Sequence, residues 1–175
     1  MRDPAEARRV HLEDSLSALE TVRRFDSPIV DVGSGGGAPG IPLAAALPER
    51  EITLLESNRR KCAFLERWAA ELPNLRVVCG RAEEQPVDTY GVAVAKALAP
   101  PPVAAEWCLP LVAPGGAVVL FVGPSAESVR VVAVAEQLAA KVVESPPGLL
   151  VLRKCGPTPP GFPRRPGIAR KRPLA

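Results

Sequence analysis

The sequence predicts an α/β fold: a doubly wound domain with a mainly parallel seven-stranded sheet and an antiparallel last strand. Three observations carry this. Short apolar runs alternate with helical patterns along the chain, as in a sheet covered by helices on both faces. The runs are near-continuous in valine, isoleucine, leucine and alanine, as strands buried on both sides require. A loop with five glycines in the eight positions from Gly33 to Gly40 follows the first run and opens a helix. That is the carboxyl edge, where open α/β sheets bind ligands.

The elements follow in order. Leu12, Leu16, Leu19 and Val22 recur at helical spacing over residues 12–24, an amphipathic helix. "SPIVDVG" is the first strand, "GIPLAAALP" a helix ended by Pro48, and "EITLLES" the second strand. Ser57 can cap a helix running to about Leu72, with Phe64, Leu65, Trp68 and Leu72 on one face. "LRVVCG" and the run in "YGVAVAKAL" are the third and fourth strands. "PPVAAEWCLPLV" is a short helix with its prolines in the first turn, where the missing N–H is tolerated. "PGGAVVLFVG" is a turn and the fifth strand, and "SAESVRVVAVAEQLAAK" a helix with Ser125 near its start. "VVES" and "GLLVLRK", joined by Pro-Pro-Gly, close the sheet as an antiparallel pair.

Composition sets limits. The chain has 175 residues, 47% hydrophobic and 23% charged, enough for one domain with a real core. No apolar run reaches membrane-spanning length, and the charged N-terminus lacks a signal-peptide core, so a cytoplasmic protein is expected. Cys62, Cys79, Cys108 and Cys155 stand far apart without a C-x-x-C pair; the expectation is four reduced, mostly buried thiols and no metal. Trp68 and Trp107 fall on apolar helix faces and are read as core. Seven cations and no acid lie from Arg153 onward, so residues 1–152 carry a net −4 against +3 for the whole chain. The division is a body of residues 1–154 and a Pro/Arg-rich tail of residues 155–175, six of whose 21 residues are proline. Its charge points to an anionic partner.

The loop admits two readings. Gly33-x-Gly35-x-x-Ala38 fits a dinucleotide fingerprint on spacing. Asp31-x-Gly33-x-Gly35-x-Gly37 adds an acid at the strand end, which would repel a pyrophosphate at the helix N-terminus and suit a cation. S-adenosylmethionine is cationic and has no phosphate. Glu56, 23 residues after Gly33, can accept ribose hydroxyls from either cofactor. A dehydrogenase needs a further substrate domain for which this length leaves no room, so a methyltransferase is the expectation.

"HLEDSL", "VDVGSGGGAPGIPLA", "LLESNRRKCAFLE", "GRAEE", "AKALAP" and "PTPPGFPRRPGIARKRPL" occur in this order. From Arg2 to Leu174 the chain resembles the GidB/RsmG family of 16S rRNA guanine-N7 methyltransferases. The resemblance implies a Rossmann-like class I methyltransferase fold, S-adenosylmethionine as cofactor, and 16S rRNA or the small ribosomal subunit as partner; a monomer is the expectation. It implies that Gly33 and Ala38 line the cofactor pocket, that Glu56 holds the ribose, and that Ala82 and Glu83 meet the adenine end. Lys96 stands beside cofactor and substrate. His11, Asp14 and Ser15 occupy the N-terminal motif, and Arg164, Arg165, Arg170, Lys171 and Arg172 form an RNA-facing tail. His11 also reads as a capping or packing residue, and Asp14 and Ser15 as polar first-turn residues. Arg59, Arg60 and Lys61 are either phosphate contacts or solvated charges.

Guanine N7 offers a lone pair and no proton, so no general base is required; alignment and desolvation suffice. Three positions depart from the family pattern: Lys96 replaces an arginine, Val122 replaces a lysine, and an Arg-His pair is absent from "PPGLLVLRK". The family also has an N-terminal helical segment ahead of the point where this sequence starts. Transfer to another acceptor, such as a small molecule, and a non-catalytic cofactor- and RNA-binding module are the alternatives.

Overall fold

The computed structural model describes residues 12–26, 28–123, 128–143 and 145–175. The seven strands are β1 (Ile29–Val32), β2 (Ile52–Glu56), β3 (Leu75–Cys79), β4 (Tyr90–Lys96), β5 (Val112–Phe121), β6 (Ala140–Val143) and β7 (Leu149–Lys154). They form one sheet in the order β3-β2-β1-β4-β5-β7-β6. The pairings among β1 to β5 are parallel, and β7 runs antiparallel to both its neighbours. The predicted mixed sheet and its antiparallel closing pair are therefore present.

Alternating side chains of the central strands enter two cores. Val30, Val32, Ala93, Ala95, Val118 and Leu120 face one side. Ile29, Ile52, Leu54, Val92, Val94 and Val119 face the other. Both β1 and β2 are buried along their whole length, which explains why their sequences show no polar alternation.

The helices are α1 (Asp14–Leu16), α2 (Leu19–Arg23), α3 (Gly40–Ala46), α4 (Arg59–Ala69), α5 (Pro101–Cys108), α6 (Ser128–Gln137) and α7 (Ile168–Lys171). Two differ from expectation in their buried face. The first predicted helix breaks into α1 and α2, and Ser15, Ala18 and Val22 are buried while Leu12 is exposed. Arg50 holds this segment by donating to the carbonyls of Val22 and Phe25. In α4 the cap is Asn58, not Ser57: its side chain accepts from the N–H groups of Arg60 and Lys61. The buried line runs through Cys62 and Leu65, so Phe64 and Trp68 lie exposed at 43% and 44%. A small apolar Cys62 marks that line better than the two aromatic rings do. Trp68 is thus not a core residue.

The cysteine expectation is corrected as well. Cys62 and Cys79 form a disulfide. The parallel β2–β3 pairing sets Cys79 opposite Glu56, and the first turn of α4 returns Cys62 to the same place, with Cα atoms 5.9 Å apart. Cys108 is free and buried; Cys155 is free and exposed.

The proline-rich end is docked along the body. Lys154 is buried and donates to the Leu109 carbonyl and the Thr158 hydroxyl. Burial lowers the pKa of its amine, and nearby Asp88 opposes that shift. Asp88 in turn accepts from the Thr158 N–H and hydroxyl. Arg164 makes a two-pronged pair with Glu106 of α5, both contacts 2.6 Å. Ala169 of α7 is 2% exposed within the core.

Candidate functional site: a cavity at the carboxyl edge of the sheet

The glycine loop turns directly off β1. The N–H groups of Gly33 and Ser34 both donate to the Leu55 carbonyl, and the Gly37 N–H to the Ser34 carbonyl. Gly33 has φ +72° and faces Leu98, so a Cβ there would strike that side chain. Gly36 has no such demand: its Cβ would meet nothing within 4 Å. Positive φ at Gly33, Gly35 and Gly37 folds the loop tightly.

Two carboxylates shape the loop from behind. Glu56 accepts from the Gly35 N–H (2.9 Å) with one oxygen and from the Asn58 N–H (2.8 Å) with the other, joining the loop to the start of α4. Asp31 is 1% exposed. Its Oδ2 accepts from the Gly40 N–H at 3.0 Å, while its Oδ1 is buried without a partner. Burial pushes its carboxyl up to about 7; the Gly40 hydrogen bond opposes the shift and the Glu56 charge adds to it. Asp31 therefore lies behind the loop and holds the start of α3 through the Gly40 N–H.

A cavity of about 220 Å³ opens beyond the ends of β1, β2 and β3. Its walls are Val32 and Gly33, Leu55 and Ser57, the run Gly80–Glu83, Leu98, Trp107, and from the tail Gly167 and Arg170. Of the residues expected at the cofactor, Gly33, Ala82 and Glu83 line it. Asp31, Gly35, Gly37, Ala38, Glu56 and Lys96 do not. Its apolar flanks, bare backbone and one carboxylate suit a nucleoside: a flat base between apolar walls and polar groups at the rim. Leu98 and Ser57 were not anticipated; each follows a strand that ends at the cavity.

The other expected site residues fall in three places. Lys96 ends β4, and its ammonium lies 2.6 Å from Asp14 and 5.7 Å from the ring of Phe121. Ser15 is fully buried. His11 and Ser125 lie outside the described residues. In the tail, Arg164 is engaged by Glu106, and Arg170 sits over Trp107 with its guanidinium carbon 5.2 Å from the ring centroid. Arg165, Lys171 and Arg172 are exposed. Glu106 gave a signal in the sequence: a lone acid in the apolar run "VAAEWC" faces the core and must find a cation. Among the described residues no helix is long and apolar enough to cross a membrane, and no group of three or more His, Cys, Asp or Glu side chains could hold a metal.

The same architecture recurs in solved methyltransferases. A putative S-adenosylmethionine-dependent methyltransferase from Methanococcus maripaludis matches 88% of this chain and 91% of its own, with a TM-score of 0.66 at 16% identity. A T. thermophilus 16S rRNA N2 G1207 methyltransferase, solved with AdoMet and guanosine, matches 82% of this chain and 40% of its own, with a TM-score of 0.55 at 17% identity. The fold is that of the class I methyltransferases. The family follows from sequence: the model of the GidB family, rRNA small subunit methyltransferase G, matches residues 1–145, and this chain belongs to that family. A ribosomal RNA small subunit methyltransferase G of Synechococcus elongatus is 37% identical over 98% of this chain and 80% of its own length. One from Pelotomaculum thermopropionicum is 36% identical over 94% and 77%.

Proposed function

We propose that this methyltransferase binds S-adenosylmethionine in the cavity at the ends of β1–β3 and methylates N7 of a guanosine in 16S rRNA. The observation that carries the reading is the convergence of Gly33, Ala82 and Glu83 on one cavity in a chain of this family. S-adenosylmethionine supplies an electrophilic methyl group on a sulfonium. The chain's own residues bind and align. Gly33 lets the backbone approach, and Ala82 and Glu83 border the base. Glu56 is not itself a lining residue but adjoins Leu55 and Ser57, which are, and its oxygens, already oriented by backbone N–H groups, keep further lone pairs for ribose hydroxyls at the cavity's edge. Because N7 carries a lone pair, no side chain has to remove a proton, and the contribution is orientation and exclusion of water.

On this reading the body, residues 1–154, carries the transfer, and exposed Arg165, Lys171 and Arg172 contact RNA phosphates. Lys96, held against Asp14 at the end of β4, positions the acceptor side together with the N-terminal motif. The direct test is incubation with methyl-labelled S-adenosylmethionine and small ribosomal subunits or naked 16S rRNA, followed by mapping. One N7-methylguanosine is the expected product. Label at another atom, or none, overturns the acceptor assignment.

A further inference from the structure

The tail reads from its charge as an RNA arm, yet two of its residues are walls of the cavity. We propose that the segment from Gly167 to Arg170 forms the adenosine end of the cofactor site, with Arg170 a binding residue for the adenosine moiety. This rests on the cofactor reading given above.

Three contacts bring the segment there. Arg164 is clamped by Glu106, whose side chain is only 3% exposed, so the pair is a fixed anchor on α5. The Arg164 guanidinium also donates to the Arg172 carbonyl at 2.8 Å, which closes residues 164–172 into a compact turn. Between them, the Gly167 N–H donates to Glu83 at 3.1 Å. Glu83 therefore belongs to both the cavity and the tail. Arg170, an exposed residue of this turn, lies over the ring of Trp107, the aromatic wall of the same cavity. A guanidinium over an indole face keeps its N–H donors available, and the nitrogens of adenine and the ribose oxygens are acceptors. Arg164 and Arg170 thus have different jobs, one anchoring and one binding, though both look like phosphate contacts in sequence.

Linkage makes the inference testable without turnover. If the tail contributes to the site, an adenosine ligand must favour the docked tail by the same free energy with which the docked tail favours the ligand. Trypsin cleavage after Arg170 and Lys171 reads the docking. The expected result with the wild-type chain is that S-adenosylhomocysteine slows this cleavage, that 5′-methylthioadenosine also slows it, and that methionine does not. By calorimetry, Arg170→Ala is expected to weaken S-adenosylhomocysteine about two- to fivefold, the range of a cation–π contact at an exposed site. Wild-type chain that binds S-adenosylhomocysteine normally but is cleaved at an unchanged rate overturns the inference. So does folded Arg170→Ala with wild-type affinity. Failure of the wild-type chain to bind S-adenosylhomocysteine at all would instead remove the cofactor reading, and this inference with it. The protection experiment needs no variant, so it decides the matter even if Arg170→Ala folds poorly.

Discussion

Lys96 and Asp14 meet at 2.6 Å, tying the end of β4 to the N-terminal motif. The Asp14 side chain is half exposed, so the pair contributes little to stability, about 0–1 kcal/mol. Its value is position. Asp14→Asn should leave the unfolding midpoint within a few degrees of wild type and keep S-adenosylhomocysteine affinity. Its kcat/KM on rRNA should fall, because the N-terminal segment loses its tether to β4. A large drop in thermal stability would show that the pair is structural instead.

The loop glycines separate by conformation. Gly33→Ala places a Cβ at φ +72° and against Leu98, and should destabilise the fold by roughly 1–3 kcal/mol. Gly36→Ala meets no neighbour within 4 Å and needs no positive φ, so its stability should stay within about 0.5 kcal/mol of wild type or rise slightly. Urea unfolding of the two variants side by side checks the contrast; equal losses would contradict it.

Asp31 makes stability depend on pH in an unusual direction for a carboxyl. Its folded pKa, about 7, lies above the ordinary 3.8, so between these values the folded chain holds a proton that the unfolded chain has released. Stability from this group is therefore full below the ordinary value and is lost as pH rises through 7. Asp31→Asn keeps an acceptor for the Gly40 N–H and cannot ionise. Relative to wild type it should gain up to about 3 kcal/mol between pH 5 and pH 8, at roughly 1.4 kcal/mol per pH unit. Parallel stability curves for the two proteins would refute the assignment.

Arg164 and Glu106 should behave as one unit. Arg164→Gln strands a buried carboxylate and should cost about 3–5 kcal/mol. Adding Glu106→Gln should restore a large part, since the uncompensated charge is gone. A double-mutant cycle on thermal unfolding measures this, and simple additivity of the two losses is the result that would sink it.

Much of the architecture was legible in the sequence because the sheet is covered on both faces. Continuous apolar runs such as "PIVDV" and "EITLLE" can be little else, and the glycine loop locates the carboxyl edge. The helices were less legible. In α4 the exposed pair Phe64 and Trp68 imitates a core stripe, while the real buried line uses Cys62. At the site, Gly33, Ala82 and Glu83 could be found from motif and resemblance. Trp107 could not, since a ring that is 9% exposed and also lines a cavity reads as core. The Cys62–Cys79 pair was hidden because it depends on a helix turning back over the neighbouring strand. The role of each tail arginine was hidden for a similar reason: Glu106 and Trp107 are adjacent in sequence but select Arg164 and Arg170 through three-dimensional placement.

The strand order has a consequence for how the molecule comes together. β7 lies between β5 and β6 although it follows both in the chain. β6 therefore has no seat in the sheet until β7 is in place, whereas the five parallel strands can assemble without either. The two late strands are close in sequence and pair with each other over four residues each, so they can enter as a hairpin. Only then does buried Lys154, the last residue of β7, reach Leu109 and Thr158. The turn carrying Gly167 and Arg170 is hung from that point. The half of the sheet that carries the glycine loop can thus be complete before the wall that closes the cavity. Acquisition of cofactor binding during refolding would mark the final step of assembly.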